Sequence, residues 1–438
     1  MRSRIDQPSA VAPSEDDWAN WLGITKWVMS QTESRDEVAR FLGKALESDY
    51  AIPDSYILEL PQILRSLIET EDARLVGNKN SFSDWLTTAI NSIRGKAIEA
   101  LLSVALRQKN AGTEIEPWIF ELIRARLELP DESPAIFAPF GAKLRFLIHL
   151  FESKLKEWPN LLFPPDRPMH QSAALVAHFK YDQPWNAAIK IFPDFLNAAL
   201  KTLEALQSEV ENDEAKQNRR DFGSRLGTHI ACYYWSGSFP NNTEGEATLD
   251  RFFAVASKST RAALISQIAS IWEKPAKETP DEKTLTRVMH IWERRFAQIV
   301  RALESDSDLI PEYDVELAES IDWLNCECFP FEWRFTHAKQ AIGRLKKAPR
   351  SYRLLKAITE FGVLPIRLEA MLQLFRALLQ KPSDELRWAI QFKDIAPVIS
   401  LGFASDNPNI RQLTEECRDL LLRMGLTDFL NLGNENAE

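Results

Sequence analysis

The chain has 438 residues, 45% of them hydrophobic, 13 Trp, 24 Phe and a net charge of −10 with a pI near 5.4. That length exceeds what one compact core usually serves, and the apolar content excludes a disordered chain. The acidic balance disfavours non-specific attachment to nucleic acid or anionic membrane. Fifteen glycines, about half of the usual ~7% usage, argue against folds built on tight turns, phosphate loops or barrel corners.

Residues 1–14 read as a flexible tail ended by Ser14, an N-cap followed by Glu15, Asp16 and Asp17 in a first helical turn. From there apolar residues recur at intervals of three and four, interrupted by short Pro, Asp, Ser or Asn breaks. The pattern predicts helices near 15–30, 34–48, 54–70, 81–108, 115–129, 134–157, 168–180, 192–211 and 215–235. It continues with 258–273, 280–304, 311–325, 331–347, 350–361, 364–380, 383–397 and 408–424. The last is the best signposted: Asn407 caps it, Pro408 takes the first helical position and Gly425 ends it. Short connections make consecutive helices antiparallel neighbours, and no strict motif recurs. The expected fold is therefore all-α, a degenerate helical-hairpin solenoid of the HEAT/TPR-like kind. The most loop-like interior stretch, "SGSFPNNTEGEAT", places a boundary at 238–247. It separates an N-terminal array, 15–237, from a C-terminal array, 248–430, with a tail at 431–438.

The stretch "NSIRGK" interrupts the predicted helix 81–108 with Asn91, Arg94, Gly95 and Lys96. It fails as a phosphate loop, because Ile90 stands where the first glycine is needed and Ala97 follows the lysine. On a helix Arg94 and Lys96 point about 160° apart, so they cannot clasp one phosphate. Asn91 and Gly95 fall on a second apolar stripe, which predicts an inner helix packed on both sides.

Six histidines form no HExxH or HxH pattern, and "CEC" at Cys326 and Cys328 lacks a second pair at zinc spacing. Cys232 and Cys417 read as buried small hydrophobes. No metal and no cofactor is assigned, and no nucleophile elbow or Gly-rich nucleotide loop occurs, so no catalytic residues are assigned either. The aromatic run "CFPFEWRF" reads as a helix junction packed into the core. The densest basic cluster is "GRLKKAPRSYR", with Arg344, Lys346, Lys347, Arg350 and Arg353. It is the candidate partner-binding site, set against a plainer reading in which its cations only complement a helix end. No stretch approaches 18 consecutive apolar residues, and the first residues lack the apolar core of a secretory signal, so a cytoplasmic chain is expected.

Several segments resemble the C-terminal helical region of bacterial antiphage defence proteins that carry a STAND-type NTPase or a sirtuin-type NAD hydrolase. They are "WLTTAINSIRGKAIEALL", "PFGAKLRFLIHLFESKLKEWPNLLFP", "AALVAHFKYDQPWNAAIKIFPDFLNAAL", "RLGTHIACYYWSG" with "LDRFFAVASKSTRAALI", and "LLLRMGLTDFLNL". The resemblance implies a sensor that binds a phage component, or an effector subunit acting in trans. It carries over no NTPase or effector residue. The expectation is a non-enzymatic scaffold with a protein partner; the alternative is a nucleic-acid-binding scaffold using residues 344–353.

Overall fold

The computed structural model describes residues 14–31, 35–47, 59–72, 75, 85–208, 213–273, 280–347, 352–381 and 383–432. Among them are 22 α-helices and no strand, so the all-α expectation holds. The chain divides into two compact units, 1–222 and 223–438.

The first unit contains α1 (Glu15–Met29), α2 (Arg35–Glu47), α3 (Leu60–Glu69), α4 (Trp85–Asn91), α5 (Ile93–Asn110) and α6 (Pro117–Leu127). It continues with α7 (Pro134–Ala142), α8 (Leu144–Glu157), α9 (Pro168–Tyr181), α10 (Asn186–Ile191) and α11 (Phe195–Ser208), and ends within α12 (Asp213–Trp235). Capping follows the sequence signals. Ser14 Oγ accepts from the Asp17 amide while the Asp17 carboxylate accepts from the Ser14 amide, a reciprocal capping box. The helix predicted over 134–157 is instead α7 and α8, bent by 94° at Lys143. Small residues explain the close packing there: a Cβ on Gly141 would sit 1.9 Å from the Ala174 carbonyl oxygen, so α7 and α9 meet almost backbone to backbone. Ala135, Ala138, Ala173 and Ala177 are buried on the same two helices.

The second unit holds α13 (Asn242–Val255), α14 (Lys258–Glu273), α15 (Glu282–Ser305), α16 (Ile310–Ser320) with a 3₁₀ turn at Ile321–Asn325, and α17 (Phe331–Arg344). It closes with α18 (Tyr352–Gly362), α19 (Pro365–Leu379), α20 (Asp384–Ala389), α21 (Phe392–Phe403) and α22 (Pro408–Arg423). The stretch read as a boundary loop, 238–247, carries the start of α13: Asn241 Oδ1 accepts from the Glu244 amide at 2.8 Å. The polar "NNTEGEAT" is thus the capped, exposed start of an amphipathic helix whose Leu249, Phe252 and Phe253 are buried. The division between the two compact units falls within α12. The final helix matches its prediction, with Asn407 as cap and Gly425 at a φ of 80° beyond its end. The "CFPFEWRF" junction is packed as expected: Phe329 is buried and stacks on Trp323 at 5.8 Å.

Each unit also buries one carboxylate between two arginines. In the first, Glu132 accepts from Arg94 at 2.6 Å and from Arg126, and its Oε1 also takes the Ser133 amide at 2.8 Å. In the second, Glu316, fully buried, accepts from Arg261 Nε at 2.5 Å and from Arg295 Nε and Nη2 at 2.8 and 2.9 Å. Removing one partner of such a pair strands a buried charge. Glu132→Ala and Glu316→Ala are each expected to lower unfolding stability by about 3–5 kcal/mol. Urea denaturation checks this, and a loss below about 1 kcal/mol, the size of an exposed ion pair, would contradict it.

Candidate functional site

The four unusual residues of "NSIRGK" have separate partners. The predicted single helix breaks at Ser92, whose Oγ accepts from the Gly95 amide at 2.9 Å and donates to the Ala89 carbonyl at 2.6 Å. Ser92 therefore caps α5, and Asp72 adds a second acceptor for its first turn by taking the Ile93 amide at 2.7 Å. Arg94 turns inward to Glu132 and also donates to the carbonyls of Ile68 and Thr70, which end α3. Burial, more than any charge, pushes its guanidinium below the usual arginine value, with Glu132 acting against that. Lys96 points the other way and pairs with Asp36 at 2.6 Å. The divergence of Arg94 and Lys96 is as expected, but Asn91 is exposed and donates to the Thr87 carbonyl one turn back, so it is not an interior contact. Sequence reading missed Arg94 as the buried centre of a network. Glu132, in "DESP", was hidden because a carboxylate ahead of a helix start ordinarily reads as a surface group.

The basic cluster separates in a similar way. Arg344 lies over the Phe296 ring at 5.0 Å and donates to the Gln340 carbonyl. Arg353 lies 3.6 Å from Asp322 and 3.7 Å from Glu273. Arg350 falls outside the described residues. Lys346 and Lys347 are exposed, while Lys381, just beyond the end of α19, donates to the Gly343 and Leu345 carbonyls that close α17.

Lys347 lines a groove of about 430 Å³ with Ser383, Asp384, Glu385, Arg387 and Met424. Its walls carry both signs of charge, and Trp388, next to Arg387 on α20, is 80% exposed. A second cleft, of about 600 Å³, lies in the first unit between α6 and α8. Arg124 sits 4.9 Å above the Trp158 ring at its edge, and Lys154 and Glu121 line it as well.

The cysteines are free thiols. Burial pushes Cys232, Cys326 and Cys417 up to about 12, so at neutral pH each stays a protonated, unreactive side chain. No group of three or more His, Cys, Asp or Glu is arranged to hold a metal ion among the described residues. Compared with family models and with curated proteins, the chain matches none.

Two outcomes follow. A Cβ on Gly95 would meet the Ala89 carbonyl oxygen at 1.9 Å, across the helix break, whereas one on Gly43 meets nothing within 4 Å. Gly95→Ala should cost about 1–3 kcal/mol by overpacking, while Gly43→Ala should stabilise by about 0.4–1 kcal/mol; equal effects in thermal melts would refute the close approach. Separately, burial first holds His170 and His337 below the ordinary histidine value. The unfolded chain then takes up these protons before the folded one does. Their contribution is complete above about pH 6.5 and is lost on further acidification, and a denaturation series should flatten below that pH in His337→Phe.

Proposed function

We propose that the chain is a non-enzymatic helical-repeat scaffold or sensor that binds a protein partner, in the bacterial cytoplasm and in antiphage defence. In this reading its helices form degenerate HEAT/TPR-like hairpin arrays, and the partner is a phage protein or an effector subunit acting in trans. The observation that carries the binding part is the groove at Lys347, with its mixed charges and the exposed Trp388 on the helix beside it. An exposed tryptophan near an arginine and charges of both signs has the composition of a protein-interface anchor. A nucleic-acid groove would present one sign of charge, whereas Asp384 and Glu385 repel phosphates here. Two of the arginines that suggested nucleic acid, Arg344 and Arg353, already have an aromatic ring and two carboxylates as partners. The defence role is supported by the resemblance of the segments quoted above to sensor regions of antiphage proteins.

The test is affinity capture from phage-infected cells with the unaltered chain, Trp388→Ala and Lys347→Glu. A specific partner should be captured, and each variant should weaken it about tenfold or more with circular dichroism unchanged. Capture unaffected by both variants would refute the groove as the site. Unchanged phage sensitivity on deletion of the gene would refute the defence role.

A further inference from the structure

Among the described residues, the buried arginines are met by carboxylates, with one exception. Arg94 has Glu132, and Arg261 and Arg295 share Glu316. Arg334, only 3% exposed, donates to the Leu324 carbonyl, and its Nε has no hydrogen-bond partner. Its guanidinium lies 5.7 Å from the Phe331 ring and 5.4 Å from the Phe361 ring. Arg367 lies against the same two rings, at 4.6 and 5.1 Å. Neither arginine forms an ion pair among the described residues; Glu327 attracts Arg334 only from beyond contact distance.

Two like charges thus share one aromatic platform. Burial first, and then the charge of Arg367, depress the Arg334 guanidinium. Their placement adds to the imbalance, because Arg334 follows the first turn of α17 and Arg367 sits in the first turn of α19. Helix N-termini carry partial positive charge and favour anions, so cations there are unfavourable unless an anion joins them. The platform also has an apolar rim. In the turn between α18 and α19, Val363 and Leu364 are 43% and 42% exposed, and Ile366, immediately before Arg367, is 92% exposed.

We infer that Arg367, backed by Arg334 on the Phe331–Phe361 platform, is the docking point for a carboxylate of a partner protein's acidic-aliphatic segment, whose apolar neighbours cover Ile366. The inference rests on the protein-binding reading and names the chemistry of the partner. Arg367, the more exposed of the two, makes the contact, with a planar fork of donors that matches a carboxylate. Arg334 is a positioning residue: its charge raises the local potential, and its stacking holds the rings on which Arg367 lies.

The probe is the capped tripeptide acetyl-Leu-Glu-Leu-amide, titrated into the full chain by isothermal calorimetry, with acetyl-Leu-Gln-Leu-amide and inorganic phosphate as separate arms. The Glu peptide should bind at least about tenfold more tightly than the Gln peptide, and Arg367→Gln should lose the same factor while its thermal melt stays cooperative. Arg367→Lys, which keeps the charge and loses the fork, should fall between the two and serves if the glutamine variant does not fold. Equal affinity for the two peptides, no binding of the Glu peptide, or unchanged binding in Arg367→Lys overturns the inference. Phosphate that displaces the peptide at equal concentration overturns the assignment to a protein segment. The groove at Lys347 is probed by different variants, so partner capture that survives Arg367→Gln with no tripeptide binding sinks this inference and leaves the scaffold reading standing.

Discussion

A carboxylate taken out of water must be met by cations and donors on nearly every lone pair, and the packing of each unit is arranged around one such group. Glu316 is surrounded by Arg261 of α14 and Arg295 of α15, with Glu312 taking a further Arg261 nitrogen at 2.6 Å. Burial works against the charge of Arg261, and Glu316 and Glu312 outweigh it, so its guanidinium is held above the usual arginine value. Glu132 plays the same part in the first unit, between Arg94 of α5 and Arg126 of α6. The driving force for folding lies elsewhere. Burying one Leu or Phe side chain contributes about 1.5–3 kcal/mol, and each unit buries many of them.

What the ion clusters add is register. An apolar stripe tolerates sliding by a turn, because one leucine can replace another in a contact. A buried glutamate held by two arginines does not, since a shift of one turn would leave three charges stranded at several kcal/mol each. The clusters also join elements far apart in sequence. Arg94 reaches a carboxylate 38 residues later and carbonyls 24 and 26 residues earlier, tying the end of α3 to the start of α7 through α5. Arg261 and Glu316 are 55 residues apart.

The same requirement sorts the surface. Arg344 and Arg353, which looked alike in a basic run, are occupied by Phe296 and by two carboxylates, which leaves Lys347 facing a groove of mixed charge. Arg334 and Arg367 stand out for the opposite reason. They have aromatic neighbours and, among the described residues, no ion pair, whereas the buried Arg94, Arg261 and Arg295 each have one. Cation–π contact offsets part of the burial cost of a guanidinium but does not neutralise it.

The sequence by itself determined the secondary structure in most places, because helix periodicity and caps are local physics. Ser14, Asn407 and Gly425 terminate helices where their side chains or backbone freedom require it, and the three-and-four spacing of apolar residues locates the helices between them. It misplaced elements where local chemistry has two readings. "SGSFPNNTEGEAT" is polar enough for a loop, yet Asn241 makes it a helix start, and Ser92 splits a helix whose hydrophobic pattern runs straight through. Only the tertiary structure decided that Arg94 is interior, that Glu132 and Glu316 are the charges it and its counterparts serve, and that Arg334 and Arg367 share two rings. Those facts depend on which distant residue arrives within about 3 Å, and a charged residue's letter does not say whether its partner will be water, a carboxylate or a neighbouring helix.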